Sequence, residues 1–509
     1  MTRRVGVVMG RILVLVLIWA GLALLIAAVG IRFYWGEISV GQMLLNLVSV
    51  ETDGGGGVIV WMGILGIGIV PLLITVGIAL WQYLRRRKRR RNGVIIPRRS
   101  QWIMHTVSTA LVAAVVVGGA TSFATTVSMW DYIKAANSSY DLGDYYVEPT
   151  VTGDEHKRNL VLIYLESGEG TLADDQLFEK DAFAPLKEAT DASDGWQSVE
   201  DFQQTKGGDW TMAGLVSTQC GIPLKGTGSA LGSGALNSLG GEVGTYLGGS
   251  ICLGDILDEH GYKSVFLGGA NASFAAKNVF LSGHGYSEVK DLSDWRAAGE
   301  PEANFRSDWG LSDERLMAHA KDEIDALHAE AEETGQPFNL TMLTLDTHAP
   351  LHIYDYCNVD TENETISVFA CSMTQVAGFV DHMKEKGYLD DTAVVIMGDH
   401  LKQLSAGDPT NEHLEGIDNR TIFNRIWIPG EDGSKLRPGL DQLSMYPTIL
   451  EAAGLTVKDR AAGLGVSAFA SVLPPDSAQA MEPDLYTELI DSSSPEFYSE
   501  AWAGENALQ

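Results

Sequence analysis

Four short stretches of this 509-residue chain carry side chains able to do chemistry together. Tyr164-Leu165-Glu166-Ser167 closes an apolar run with a carboxylate and a hydroxyl. Gly207-Gly208-Asp209-Trp210-Thr211 places a threonine after a Gly-Gly turn and before a helix-like run. Asp346-Thr347-His348 closes a third stretch and Gly398-Asp399-His400 a fourth. Glu166, Asp399, His400 and the hydroxyl oxygen of Thr211 make a suitable shell for a hard-to-borderline divalent cation, which takes oxygen and imidazole donors. A threonine oxygen in such a shell has a lowered pKa and becomes a nucleophile near neutral pH. A helix N-terminus at Thr211 would add positive potential for an incoming phosphate. His348 could exchange a proton with an attacking or leaving oxygen. Singly, each has an ordinary use: a threonine before a helix caps it, an acid after a strand is solvated, an Asp-His pair turns the chain. Their joint occurrence after successive apolar runs singles the set out. His260, His284, His319, His328, His352, His382 and His413 lack comparable settings and are read as structural or surface, with His284 and His352 the next candidates.

Such stretches converge only if the elements before them end at one edge. Asn159–Leu165 (NLVLIYL) is apolar throughout, the mark of a strand buried on both faces. Similar runs recur at Ser264–Leu267, Leu340–Leu345 and Ala393–Met397, with a further candidate at Ile422–Ile428. Helix-like segments lie between them: Leu253–His260, Ser312–Thr334 with Ser312 as cap and Gly335 as stop, and Met373–Lys386 ending at Gly387. The alternation predicts an α/β fold, a mostly parallel sheet with helices on both faces. Ligands of such sheets bind at the carboxyl ends of the strands.

The first 126 residues have a different character. Three apolar runs, about 12–31, 58–84 and 102–126, are each long enough to cross a hydrocarbon core of about 30 Å. The first exceeds a typical signal-peptide core and is followed by two more, so it reads as an anchor. The basic run from Arg85 to Arg99 marks a cytoplasmic loop under the positive-inside rule, whereas the loop between the first two runs carries Glu37, Glu51 and Asp53 and no basic residue after Arg32. The expected organisation is a membrane domain (1–126), a linker (127–154), an extracytoplasmic catalytic domain (155–470) and an acidic C-terminal tail (471–509), rich in Pro and Ser and expected to be loosely ordered. The protein is thereby read as multi-pass in a bacterial plasma membrane, in contact with lipid. Residues 127–509 hold 23 basic and 63 acidic residues. That balance argues against nucleic acid as a partner, since such binding needs positive charge. All four cysteines fall in this acidic part, and proximity favours the pairs Cys220–Cys252 and Cys357–Cys371 in an oxidising compartment.

The motifs together resemble a known family. YLES with Glu166, GGDWTMAGLVSTQCGIPL with Thr211, ICLGDIL with Asp255, LTLDTHAP with His348 and GDHL with Asp399 and His400 are similar to the periplasmic phosphoglycerol transferases that decorate membrane-derived oligosaccharides. More broadly they resemble the lipoteichoic acid synthase branch of the sulfatase/alkaline phosphatase superfamily. DQLSMYPTIL (Asp441–Leu450) is similar to the superfamily's late segment. The resemblance implies an alkaline phosphatase/sulfatase-like fold. It implies one divalent metal, Mn²⁺ ahead of Mg²⁺ or Zn²⁺, on Glu166, Thr211, Asp399 and His400, with His348 at the substrate. It implies phosphatidylglycerol as donor, a phosphoglycerol-threonine intermediate on Thr211, release of diacylglycerol, and a cell-envelope glycan or lipoglycan as acceptor. The synthases' His-Gly-Asp…Trp…Arg segment is replaced here by GGANASFAAKNVF. Gly268 and Ala270 stand for the His and Asp, Ala275 for the Trp, and Lys277 lies near the Arg, which argues against a polymerase. The oligosaccharide-modifying branch has a similar Gly-Ala-Asn…Lys stretch, so Asn271, Lys277, Arg306, Asp308 and Trp309 are the implied substrate contacts. The competing readings are a phosphoethanolamine transferase, an envelope phosphodiesterase with water as acceptor, and a non-catalytic glycan-binding protein on the same fold. The sequence Thr211-Met212-Ala213-Gly214-Leu215 excludes a formylglycine sulfatase, which needs a Cys or Ser before x-Pro-x-Arg.

Overall fold

The computed structural model describes residues 2–34, 36, 61–93, 97–226, 245–306, 309–404, 408–431 and 436–503. The acidic first loop lies outside these residues. The chain divides into an N-terminal helical unit ending at Tyr132 and a second unit running from Ile133.

The first unit holds three long helices: α1 (Thr2–Tyr34), α2 (Val70–Arg91, led in by a π-helical turn at Ile64–Ile69) and α3 (Arg98–Thr126). Segments of 26, 31 and 29 residues within it are long and apolar enough to cross a membrane. The helix at α2 continues past the apolar Leu84 through Arg85–Arg91, so most of the basic run is helical.

In the second unit, in chain order, come β1 (Asn159–Leu165), α4 (Thr211–Cys220), β2 (Lys263–Gly268), β3 (Tyr286–Lys290), α5 (Asp313–Thr334), β4 (Phe338–Leu343), α6 (Glu364–Lys386), β5 (Thr392–Gly398), β6 (Asn424–Trp427), α7 (Met445–Ala452), α8 (Pro483–Asp491) and α9 (Pro495–Ala501). The six strands form one sheet in the order β3-β2-β4-β1-β5-β6. The first five are parallel, and β6 runs antiparallel on β5. β1 sits in the middle and is buried along its whole length. Alternate side chains point to opposite faces of a strand. Leu160, Leu162 and Tyr164 accordingly pack with α4, α7 and the C-terminal helices, while Val161, Ile163 and Leu165 pack with α5 and α6. A strand apolar at every position is what two covered faces require.

The structure departs from the sequence reading at four places. β3 was not anticipated: only its first residue is buried, and Glu288 and Lys290 interrupt any apolar run, as charges on an edge strand do. α6 begins at Glu364, capped by the Asn363 side chain, well before Met373. Part of the presumed linker belongs to the fold, with Leu142 fully buried and Val151–Gly153 paired to Thr456–Val457. The described part of the tail, to Ala503, is ordered: Leu489, Ile490 and Tyr498 lie in the core, and Lys225 Nζ donates to the Ile490 and Ser492 carbonyls at the end of α8. Its acids face outward, so acidic composition hid an amphipathic pattern. Both disulfides, Cys220–Cys252 and Cys357–Cys371, are formed as proximity suggested.

Candidate active site

Strand register brings the chemistry together. Tyr164 is level with Leu343 on one side and Met397 on the other, and Leu165 with Gly398. The residues that follow, Glu166, Thr344 and Asp399, therefore leave the sheet side by side at its carboxyl edge. Ligand atoms of Glu166, Asp399 and His400 all lie within 4.8 Å of one another, and all three residues are buried. Thr211 is the first residue of α4, and Trp210 is its N-cap, with no side-chain capping bond. The Thr211 hydroxyl donates to Glu166 Oε2 at 3.3 Å instead.

The neighbours aim these groups. Ser167 sits at φ 54°, a left-handed conformation that costs energy for a non-glycine residue. That turn lets Ser167 Oγ donate to Glu166 Oε1 at 2.8 Å and its amide to Asp399 Oδ1 at 2.8 Å. Thr344 Oγ1 accepts from the Glu166 amide at 2.9 Å, and Thr347 Oγ1 donates to the Glu166 carbonyl at 2.6 Å. His400 Nδ1 donates to the Leu401 carbonyl, which turns Nε2 toward Glu166 Oε1 (3.7 Å) and Asp399 Oδ2 (3.6 Å). Such a bond on one ring nitrogen is how a ligating histidine is oriented.

This donor set fits a divalent cation. Asp399 Oδ2 is buried without a hydrogen-bond partner, and such an atom is costly unless something pairs with it. Burial, then the Glu166 charge, pushes the Asp399 carboxyl above its usual range, with His400 opposing. Burial would also raise Glu166, but His348, His400, the Ser167 hydroxyl and Lys277 together hold it low. His400 is raised: burial lowers it, and Asp399 and Glu166 outweigh that. Two carboxylates and an imidazole that compete for protons in a dry pocket are a cluster a metal ion satisfies better than protons do. A second grouping, Cys252, Asp255 and His284, does not offer this chemistry. The Cys252 sulfur is in a disulfide, and His284 uses both ring nitrogens, on Asp255 (2.7 Å) and the Tyr246 carbonyl (2.9 Å).

The remaining sequence candidates divide. His348 donates Nδ1–H to the Ala349 carbonyl at 2.6 Å, and burial lowers its pKa against the pull of Glu166, so the neutral ring keeps Nε2 as an acceptor. Trp309 packs on it with ring centroids 4.3 Å apart. Lys277 is buried, and desolvation lowers its pKa while the Glu166 and Asp399 charges pull it up. Arg306 is buried and donates to the His348 and Pro350 carbonyls, so it holds the loop that carries the imidazole. The Asn271 side chain accepts from the Ser273 amide and shapes the turn ahead of Lys277. Asp308 lies outside the described residues.

Residues absent from the sequence reading complete the site. Ser167, Thr344 and Thr347 carry no motif signal beyond flanking the acids. Asp209, raised by burial and in electrostatic range of His400, adds a further carboxyl two residues before Thr211. Gly214 has a contact that only glycine allows, because a Cβ there would lie 2.1 Å from the Asp399 carbonyl oxygen. Gln442 bonds both to the Thr205 amide ahead of Thr211 and to the Asp399 carbonyl.

The sulfatase family profile matches residues 248–455. The chain is 31% identical over 463 residues to phosphoglycerol transferase I of Salmonella arizonae, an alignment covering 84% of this chain and 56% of that protein. The Salmonella paratyphi B phosphoglycerol transferase I is 30% identical with the same coverage. The chain thus spans about half the length of the curated relatives it matches. A Vibrio parahaemolyticus protein described as being in the alkaline phosphatase superfamily superposes with a TM-score of 0.50 at 18% identity, over 73% of this chain and 93% of that one. The fold is of the alkaline phosphatase/sulfatase type.

Proposed function

Because the chain carries a sulfatase domain and aligns over most of its length with phosphoglycerol transferases, we propose that it transfers phosphoglycerol from phosphatidylglycerol to a hydroxyl of a cell-envelope glycan or lipoglycan. One observation carries the reading: the Thr211 hydroxyl turns away from its own helix and onto Glu166, beside Asp399 and His400. Glu166, Thr211, Asp399 and His400 would hold one divalent ion, Mn²⁺ ahead of Mg²⁺ or Zn²⁺. When bound, that ion supplies a lowered pKa at the threonine hydroxyl and charge compensation for phosphate oxygens.

The chain's own groups do the rest. Thr211 Oγ attacks phosphorus and its proton leaves to Glu166, with which it is hydrogen bonded. The bond from phosphorus to the diacylglycerol oxygen breaks, and that oxygen takes up a proton, so diacylglycerol leaves. The proton on the diacylglycerol oxygen comes from water, and His348 Nε2, an acceptor in the neutral ring, takes the proton of the attacking acceptor hydroxyl and returns it to the hydroxide so formed. The acceptor hydroxyl attacks the same phosphorus, the bond to Thr211 Oγ breaks, and the threonine regains a proton. Lys277 and the N-terminus of α4 offset the phosphate charge, and Asn271, Arg306 and Trp309 would border the donor. Membrane spans on the same chain would keep the domain at the surface where the lipid donor is concentrated. The basic run between the second and third spans supports an extracytoplasmic position for the domain.

The decisive experiment uses purified protein, Mn²⁺ and phosphatidylglycerol labelled in the headgroup. Diacylglycerol release, with label on Thr211 in intact-protein mass spectra, is expected. Folded Thr211→Ala should lose turnover by a factor on the order of 10³ or more. Undiminished turnover in that variant would sink the mechanism. Label acquired from phosphatidylethanolamine alone would make the protein a phosphoethanolamine transferase, and product without covalent label would make it a phosphodiesterase.

A further inference from the structure

Gln442 is fully buried, at the start of the turn that leads into α7, and every polar atom of its side chain is engaged. Oε1 accepts from the Thr205 amide at 2.9 Å. Nε2 donates to the Asp399 carbonyl at 2.6 Å and reaches the Gly208 carbonyl at 3.4 Å. Thr205–Gly208 is a closed turn, its Gly208 amide bonded to the Thr205 carbonyl at 2.8 Å, and it delivers Thr211 three residues later. A single planar amide therefore spans the segment that presents the threonine and the strand end that presents Asp399.

The joint has no slack. A Cβ on Gly208 would come within 2.3 Å of Gln442 Oε1, and one on Gly214 within 2.1 Å of the Asp399 carbonyl. A shorter amide would not reach both sides, and a carboxylate would set an oxygen against the Asp399 carbonyl. The preceding residue extends the joint outward. Asp441 accepts from Tyr486 OH and, at 3.3 Å, from Gln479 Nε2, which also donates to Tyr486 OH at 2.9 Å. Tyr486 belongs to α8 and Gln479 to the turn before it.

We propose that Gln442 is a positioning residue that sets the separation of Thr211 from Asp399, and that the C-terminal segment braces it through Asp441. The inference rests on the proposed use of those two residues, and it assigns the acidic C-terminal segment a part in the reaction. Partners one shell removed from a metal cluster typically change metal affinity or activity by about 10–100-fold when lost.

The test uses the full chain in detergent and the variants Gln442→Met, Gln442→Glu and Tyr486→Phe. Thermal melting reports folding, and Mn²⁺ titration followed by electron paramagnetic resonance reports the cluster. Hydrolysis of bis(4-nitrophenyl) phosphate gives kcat and KM without assuming a donor lipid. The expected result for both Gln442 variants is a kcat lower by about 10–100-fold and a weaker Mn²⁺ Kd, with KM changed less than about threefold. Tyr486→Phe should move kcat the same way by a smaller factor. A folded Gln442→Met with wild-type kcat and Mn²⁺ affinity would overturn the inference, as would a lowered melting temperature with unchanged kcat. If neither Gln442 variant folds, wild-type kcat in Tyr486→Phe overturns it. Wild-type protein that neither binds Mn²⁺ nor turns over would overturn the proposed function and this inference with it.

Discussion

A threonine in the first turn of a helix ordinarily gives its oxygen to the helix's own amides. Thr211 gives its proton to Glu166 instead, and α4 starts on Trp210 with no side-chain cap. Among the candidate site residues, Glu166, Asp399 and His400 could be read in the sequence because each follows a run whose burial is itself legible, and Thr211 because it opens a helix-like run after a Gly-Gly turn. The residues that orient them could not. Thr344, Thr347 and Ser167 are common hydroxyl residues whose value lies in bonds to the Glu166 backbone and carboxylate, and no spacing announces such bonds. Lys277 is buried and forms no ion pair among the described residues, and a buried charge needs a partner. Lys277→Met should lower kcat/KM for a phosphodiester by a factor on the order of 10² with the fold retained. Unchanged kcat/KM would remove it from the phosphate pocket.

At the scale of elements, the site depends on parallel strands ending in register and on how closely α4 approaches β5. Strand positions were legible because β1, β4 and β5 are apolar at nearly every residue, a pattern only doubly covered strands sustain. β3 and the first turns of α6 were not, because a half-exposed edge and a helix opening in mixed small and β-branched residues give no clean period. The approach of α4 turns on Gly214. Gly214→Ala should destabilise the protein by about 1–3 kcal/mol, since the Asp399 backbone must shift to admit a methyl group. It should also lower kcat by about tenfold by moving Thr211 off line. Chemical denaturation and initial rates check both, and wild-type values in each would show that the contact relaxes freely.

Across the whole molecule, the C-terminal segment closes the core. Truncation after Leu473 would strip Leu489, Ile490 and Tyr498 from it. Deleting even one large buried side chain typically costs about 2–5 kcal/mol, so the truncated protein should lose its cooperative melt, and a sharp wild-type melt would contradict this. Orientation is open to a direct test because all four cysteines are paired. Val472→Cys, at a position 78% exposed, would then carry the sole free thiol. A membrane-impermeant maleimide should label it in intact cells, and labelling only after lysis would reverse the assigned topology. The amino-acid sequence alone determined the three apolar helices and the five main strands, and with them the places of Glu166, Asp399 and His400 after strand ends. All of these follow from local pattern, because burial on a strand or in a bilayer imposes a composition that can be read in place. Only the tertiary structure decided that the acidic tail belongs to the core, that Ser167 bridges two acids and that Gln442 spans two segments. Those outcomes depend on contacts between residues tens to hundreds of positions apart, and a contact of that kind leaves no period in the chain that makes it.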